Sequence, residues 1–276
     1  MNVRIEDDFD LQKIQKSGQA FRIACLADDK TYRFIHGEHV IYIKQIDKDR
    51  YEVSCDEAVW QTIWVPYFDL KTSYQDIRKQ IPKKDTYLEE ASQYGKGIRI
   101  LRQDPWEMLI TFIISQRKSI PAIQGAVELL AKTYGSSLDV NSEKLYSFPK
   151  PDQLREASVE NLKACKLGYR APYVFDAVGQ VCSGRLDLGL LASVSDKDVV
   201  DRLMQVKGVG IKVANCVALF AYHRIGRAPV DAWIGKIIEK EYEGENPFNK
   251  YGKVAGVMQQ YMFYYALSHK SQYQHK

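Results

Sequence analysis

The alternation of apolar and polar residues divides the chain into two parts of different character. Within residues 20–55, four short runs rich in β-branched and aromatic residues are separated by polar turns, a pattern typical of antiparallel strands. From residue 56 onward the apolar spacing becomes helical, and we expect two helices to pack on the sheet before Gly95. The pattern therefore predicts an N-terminal sheet domain at residues 1–96, with strands at residues 21–25, 32–35, 40–44 and 51–55.

Residues 97–276 read as nearly all helix and end in a long helix at about residues 250–268. Asp104 followed by Pro105 is typical of an N-cap and first helical position, which predicts a helix through about Ser115. Further residues that start or stop helices are Ser119, Gly135, Gly184 and Ser195. The predicted fold class is α+β, an antiparallel sheet domain followed by a two-lobed helical body.

Composition narrows the class of protein without identifying it. The 276 residues carry a formal net charge of +4, with 45% hydrophobic and 27% charged residues, values ordinary for a globular protein. No apolar run approaches the roughly 20 residues needed to span a bilayer. The acidic first ten residues lack the apolar segment of a signal peptide. We therefore expect no membrane association and a cytoplasmic location, close to the nucleoid if the source is bacterial.

The five cysteines are scattered and odd in number, which favours a reducing compartment without a disulfide framework. No spacing of cysteine and histidine residues fits a zinc site. No cysteine cluster follows residue 216, which argues against an iron–sulfur cluster. No metal or organic cofactor is expected.

One segment, Val-Lys-Gly-Val-Gly-Ile-Lys-Val-Ala-Asn-Cys at residues 206–216, carries the clearest functional pattern. Gly208 and Gly210, on either side of Val209, can adopt backbone angles closed to other residues. A tight turn there would aim N–H groups outward, and a helix starting near Ile211 would add the positive end of its dipole. This pattern predicts a sequence-independent seat for a DNA phosphate, within a helix-hairpin-helix at about residues 196–223.

Three polar residues near this turn are candidates for chemistry. Lys212 falls in the first turn of the second helix, and Cys216, four residues on, lies on the same face. Asp231 stands just before another amphipathic run, a favourable N-cap position.

Six segments of the chain occur in the same order as in a known family. The chain resembles a bacterial-like member of the 8-oxoguanine DNA glycosylase/AP lyases, which belong to the helix-hairpin-helix DNA glycosylase superfamily. The segments are residues 17–22, residues 99–105, residues 167–171, the hairpin, residues 229–231, and Gln259 with Phe263.

The resemblance implies that Lys212 is a nucleophile that attacks the sugar C1′ and forms a Schiff base. It further implies that Asp231 stabilises positive charge at the sugar and assists proton movement. The alternatives are a solvated or phosphate-binding lysine for Lys212 and a simple N-cap for Asp231, although capping and catalysis are compatible.

The resemblance also implies a pocket for the flipped base. Gly18 would offer its carbonyl to the N7 hydrogen that 8-oxoguanine has and guanine lacks. Gln259 would bind the Watson–Crick edge, Phe263 would stack on the base, and Cys216 would form the opposite wall. The alternatives are a turn glycine at Gly18, a core aromatic at Phe263 and a small buried residue at Cys216.

The resemblance implies that Tyr169 is a wedge, an aromatic side chain that fills the gap left by the flipped nucleotide. It implies that Arg170 contacts the orphaned cytosine. The alternative is an exposed aromatic and basic turn. Arg117 and Ala122 depart from the family pattern, since they replace an asparagine and a second arginine that read cytosine. Trp233 and Asn215 also depart, replacing a histidine and an aspartate. Strict preference for cytosine opposite the lesion is therefore not expected.

The function implied is excision of 8-oxoguanine from duplex DNA by a monomeric glycosylase with lyase activity. Two alternatives stay open at this stage. A monofunctional glycosylase for alkylated purines would form no Schiff base, so borohydride trapping separates it. A non-catalytic helix-hairpin-helix module would bind phosphate only, and it would have no use for Gly18, Gln259 or Phe263.

Overall fold

A five-stranded antiparallel sheet opens the fold. The computed structural model describes residues 1–28 and 30–273. The strands are β1 (Asn2–Arg4), β2 (Ala24–Cys25), β3 (Thr31–His36), β4 (His39–Gln45) and β5 (Arg50–Val53). Their order in the sheet is β1-β5-β4-β3-β2, so the last four strands form the predicted meander and β1 pairs with β5 at one edge.

The strand predicted at residues 21–25 is wrong in its first three residues. Only Ala24 and Cys25 pair with β3. Phe21 instead packs into the core of the helical body, and the buried Arg22 donates to Glu128 and to the carbonyl of Tyr146. These long-range contacts draw the segment out of the sheet, although its composition favours a strand.

The inner face of the sheet is closed by aromatic residues of the following helices. Trp64 and Phe68 are fully buried, and the ring centroid of Phe68 lies 5.0 Å from that of Phe34 in an edge-to-face arrangement. A π-helical turn, Trp60–Trp64, joins the second and third helices. The helices of this part are α1 (Leu11–Lys16), α2 (Glu57–Val59), α3 (Val65–Tyr67), α4 (Tyr74–Arg78) and α5 (Thr86–Tyr94).

The remainder is mainly helical. A 3₁₀ segment, Pro247–Val254, precedes the last helix. The helices are α6 (Pro105–Ser115), α7 (Ile120–Tyr134), α8 (Val159–Leu162), α9 (Ala171–Cys182), α10 (Asp196–Leu203), α11 (Ile211–Phe220), α12 (Ala232–Glu241) and α13 (Ala255–Ser268).

The helical body also contains a β-hairpin, so the prediction that residues 97–276 are nearly all helix is wrong at residues 137–146. Strands β6 (Ser137–Val140) and β7 (Glu143–Tyr146) pair through a two-residue turn in which Asn141 and Ser142 have φ of 50° and 63°. Positive φ at both turn residues matches the twist of a hairpin. Glu143 of β7 also pairs with Arg33 of β3, so the hairpin extends toward the sheet.

The apolar core falls into two clusters, one under the sheet and one within the helical body. Tyr74, Ile77, Leu88 and Ala91 of α4 and α5 belong to the second cluster, so these helices pack on the helical body rather than on the sheet. The domain boundary at residue 96 stays a prediction.

The fully buried Arg99 joins the two parts of the chain. It donates to the carbonyls of Asp8, Phe68, Asp69 and Thr72. Since a buried guanidinium is costly unless its donors are bonded, this set of acceptors fixes the N-terminal segment against the helical body.

Within the described residues, neither a membrane-spanning helix nor a metal-binding cluster is found. Across residues 1–28 and 30–273, no helix is both long and apolar enough to cross a membrane. The same residues contain no group of three or more histidine, cysteine, aspartate or glutamate side chains placed to hold a metal ion.

Candidate active site

The hairpin between α10 and α11 requires glycine at one position. Gly208 has φ of +79°, and a β-carbon there would lie 2.3 Å from Cδ2 of Tyr173. The expectation that Gly210 adopts backbone angles closed to other residues is wrong, because its φ of −96° is open to any residue. A β-carbon on Gly210 would meet no atom of the described chain. This glycine therefore leaves the space before α11 bare, and no side chain caps that helix.

Lys212 is the second residue of α11, and its amine turns back into a cleft. Its Nζ lies 5.5 Å from the ring centroid of Phe112, which stacks in turn on Phe220. Burial raises the pKa of the Cys216 thiol to about 11, although the neighbouring Lys212 side chain opposes the shift. At neutral pH Cys216 is therefore a neutral, buried wall beside the amine.

Asp231 is the N-cap of α12, as the sequence predicted. Its Oδ1 accepts hydrogen bonds from the N–H groups of Trp233 at 3.0 Å and Ile234 at 2.9 Å. Both bonds use one oxygen, so Oδ2 takes part in neither. Capping fixes the carboxylate and leaves that second oxygen for chemistry in the cleft.

Gly18 lies after α1 with φ of +75°, a conformation that favours glycine. Its neighbours hold it rigidly through buried amides. Gln260 donates to the carbonyl of Ser17. Gln19 donates to the Ser17 hydroxyl and to the Arg99 carbonyl, and accepts from the N–H of Leu101. This support could not be predicted from the sequence, because a glutamine gives no local signal of its distant partners.

Gln259 and Phe263 lie one helical turn apart on α13 and face the same small cavity as Gly18 and Cys216. This inner cavity has a volume of about 40 Å³. Gln259 is 4% exposed, and its buried Oε1 has no hydrogen-bond partner in the described chain. Since buried acceptors are nearly always bonded, this orphan oxygen indicates a site for a ligand donor.

A larger cavity of about 340 Å³ opens from the inner one and shares Gly18, Lys212, Asp231 and Phe263 with it. Its volume is within the range of small-molecule sites. The structure thus brings the catalytic and base-pocket candidates into one cleft. The cleft also contains residues that the sequence pattern did not place there, among them Lys118, Trp233 and Lys270.

The candidate DNA contacts lie at the rim of the cleft. Tyr169 is 52% exposed, as a wedge requires. Arg170 is only 5% exposed, and its Nε donates to the carbonyl of Gln116 at 2.7 Å. The Gln116 side chain donates to the Gly208 carbonyl at 3.1 Å. The expected cytosine contact of Arg170 would therefore require its guanidinium to leave Gln116.

Arg117 is exposed and has φ of 51°. Asparagine tolerates this left-handed region far better than arginine does. Ala122 is also exposed, on the first turn of α7, and carries no donor toward DNA.

Comparison with known proteins relates this site to one family. A profile described as 8-oxoguanine DNA glycosylase, N-terminal domain, matches residues 2–109. The structure of MBOgg1 with a low-affinity DNA ligand is 36% identical, with a TM-score of 0.93, covering 98% of this chain and 96% of that one.

Two further relatives carry the same family name or the same activity in their names. The Clostridium acetobutylicum 8-oxoguanine glycosylase/lyase, solved with double-stranded DNA containing cytosine opposite 8-oxoguanine, is 31% identical with a TM-score of 0.91, covering 98% of each chain. A probable N-glycosylase/DNA lyase of Methanothermobacter thermautotrophicus is 28% identical over 229 residues, 72% of each chain. Near-complete coverage above 30% identity, with the matching fold, shows that this chain belongs to the 8-oxoguanine DNA glycosylase/lyase family.

Proposed function

We propose that this protein excises 8-oxoguanine from duplex DNA and then cleaves the strand at the resulting abasic site. The observation that carries the proposal is one cleft that contains the amine of Lys212, the carboxylate of Asp231 and an unsatisfied acceptor on Gln259. The names of the relatives, 8-oxoguanine glycosylase/lyase and N-glycosylase/DNA lyase, support the same reaction.

The chemistry follows from the amine and the carboxylate. The neutral amine of Lys212 attacks C1′, the bond from C1′ to the base breaks, and the base leaves with the electron pair and takes up a proton. Opening of the sugar ring then gives a Schiff base on Lys212. Loss of the C2′ proton breaks the C3′–O bond and releases the 3′ phosphate. Asp231, fixed by its capping bonds, stabilises the positive charge that develops at the sugar.

Recognition of the base requires the inner cavity to enlarge. Its volume of about 40 Å³ is far below that of a small-molecule site, so a purine enters only if lining side chains such as Phe263 move. The Gly18 carbonyl would accept the N7 hydrogen of 8-oxoguanine, and Gln259 would pair with the Watson–Crick edge. Guanine lacks that N7 donor, and a buried acceptor left unpaired costs about 1–3 kcal/mol.

The bare N-terminus of α11 would bind a phosphate, and the exposed Tyr169 would fill the gap left by the flipped nucleotide. We propose further that the protein acts as a monomer in the cytoplasm, near the nucleoid if the source is bacterial. Duplex DNA containing 8-oxoguanine is its proposed partner. The reaction as written uses side chains of this chain alone.

The test incubates the wild-type protein with an 8-oxoguanine duplex, with and without borohydride. The proposal expects free 8-oxoguanine, a nicked strand and, with borohydride, a covalent protein–DNA complex. Free base without a covalent complex would indicate a monofunctional glycosylase. Binding without free base would indicate a DNA-binding module, and either outcome contradicts the proposal.

A further inference from the structure

The corner between α6 and α7 sends two adjacent basic side chains in different directions. Lys118 N–H bonds to the Ser115 carbonyl at 3.1 Å, and Arg117 between them takes φ of 51°. Arg117 is exposed at this turn, whereas Lys118 lines the same 340 Å³ cavity as Lys212 and Asp231. Besides the exposed Lys270, the cleft therefore holds a second, partly buried amine on a different element from the proposed nucleophile.

The bonding of this second amine is unusual for a surface lysine. Its Nζ donates to the carbonyl of Lys166 at 2.9 Å, a neutral acceptor. The charged groups acting on it are two cations, Arg170 and Lys166. Burial, together with these cations, lowers the pKa of Lys118 below its ordinary value of 10.5. Partial desolvation and neighbouring cations are the conditions that activate a lysine as a nucleophile.

We propose that Lys118 is a second Schiff-base-forming amine of this cleft, which reacts with the ring-opened sugar of an abasic site. The proposal deepens the proposed function and rests on it, because it needs an abasic nucleotide in the same cleft. The substrate class is an abasic site formed elsewhere or one released by Lys212.

The two amines would differ in the bond that each can attack. To displace an intact base, an amine must be aligned with Asp231 while the base is held between Gly18 and Phe263. These three residues line the inner cavity together with Lys212. Lys118 lines only the outer cavity. An abasic sugar is in equilibrium with a free aldehyde at C1′, which needs no leaving base. Lys118 is therefore expected to act on abasic sites and not on 8-oxoguanine nucleotides.

The reaction at Lys118 balances without an added reagent. The amine adds to the C1′ aldehyde, a C–N bond forms, and the carbonyl oxygen leaves as water after taking up a proton from solvent. In the resulting iminium the C2′ proton passes to water, and the C3′–O bond breaks with the electron pair leaving on the 3′ phosphate. Borohydride, where added, reduces the iminium and makes the protein–DNA bond permanent.

The experiment removes Lys212 and supplies the abasic site separately. Lys212→Gln is incubated with a duplex containing a natural abasic site, prepared by excision of uracil, and borohydride is added. Two double variants combine Lys212→Gln with Lys118→Gln or with Lys118→Arg. Arginine keeps the positive charge but forms no Schiff base, so it separates covalent reaction from attraction to phosphate. Lys270→Gln in the Lys212→Gln background controls for the exposed lysine of the same cavity.

We expect Lys212→Gln to give a trapped complex whose cross-linked peptide contains Lys118, and both Lys118 double variants to lose it. The Lys270 double variant should keep it. Absence of a complex with Lys212→Gln would overturn the inference. A complex that survives in the Lys118→Arg double variant would also overturn it, because the role of Lys118 would then be only a contact with phosphate. Equal duplex affinity and melting temperature among the variants show that they fold. Release of 8-oxoguanine by the wild type tests the proposed function separately.

Discussion

The ring of Phe263 lies against Gly18 so closely that a β-carbon on the glycine would stand 2.9 Å from Cε1 of the ring. Both residues line the inner cavity where the flipped base is proposed to bind. Gly18 thus has two reasons to be glycine, its φ of +75° and the space that a base or the ring must occupy.

Gly18→Ala is expected to abolish excision of 8-oxoguanine with little change in general duplex affinity, because phosphate contacts supply most of that affinity. Single-turnover excision and duplex binding measure the two effects. The matched control is Gly184→Ala, which has φ of +73° but meets no atom within 4 Å. Both variants carry the same backbone strain, so normal excision by Gly18→Ala would place the pocket elsewhere.

Gln259 and Gln260 are adjacent, but their substitutions are expected to change stability in opposite directions. Gln259→Met removes an unpaired buried oxygen, so it is expected to raise the free energy of unfolding while losing excision. Gln260→Met leaves the buried carbonyl of Ser17 without its donor, which is expected to lower the free energy of unfolding by about 1–3 kcal/mol. Denaturant unfolding of both variants measures these changes. A less stable Gln259→Met that still excises 8-oxoguanine would contradict the assignment.

Selectivity for the base opposite the lesion is expected to be weak. Arg170 is held on Gln116, while Ala122 offers no donor at the position where the resembled family has a second arginine. Each missing bidentate contact removes about 1–3 kcal/mol of discrimination, roughly fivefold to 150-fold. Excision opposite cytosine should therefore exceed excision opposite adenine only modestly.

Single-turnover rates on four duplexes that differ only in the base facing 8-oxoguanine measure this selectivity. Ala122→Arg should increase the preference for cytosine, whereas Arg117→Asn should relieve the strained φ at its position. A cytosine preference of several hundredfold in the wild type would show that another group reads the base.

Glu107 should make stability depend on pH. Burial in α6 raises the pKa of its carboxyl from 4.5 to about 7, although Arg22 opposes the shift. Because the folded pKa lies above the unfolded one, this contribution is fully present below about pH 4.5 and is lost as pH rises through 7. Ionisation costs roughly 3 kcal/mol across that window.

Glu107→Gln stays neutral, so its stability relative to the wild type should rise between about pH 4.5 and pH 7 and level off above that range. Urea unfolding across this range makes the comparison. Glu239→Gln, at an exposed position of α12, serves as the control and should run parallel to the wild type. Parallel curves for Glu107→Gln would show that the buried carboxyl does not titrate in this range.

The sequence was most informative where local chemistry dictates structure. Asp104, Ser195 and Asp231 cap helices as predicted, because capping depends on a few neighbouring residues. Ser119 lies at its predicted N-cap but makes no side-chain capping bond. The family and its α+β fold were also predictable, since several motifs occur in order along nearly the whole chain.

What the sequence did not reveal depends on contacts between distant residues. The strand at residues 21–25 shortened because Arg22 reaches Glu128 and Tyr146. The inward turn of Arg170 and the placement of Lys118 in the cleft arise from the corner between α6 and α7. No local spacing encodes those positions, because each depends on a segment about fifty residues away.

Lys212 is central to the proposed reaction, and its removal tests the account most directly. The measurement is base release and borohydride trapping by Lys212→Gln on an 8-oxoguanine duplex, under single-turnover conditions. Lys132→Gln, a change of an exposed lysine near the end of α7 and outside the hairpin, is the control for loss of charge. If Lys212 is the nucleophile, Lys212→Gln binds the lesion duplex but releases no 8-oxoguanine and gives no trapped complex, while Lys132→Gln does both. Normal base release or normal trapping by Lys212→Gln would contradict it.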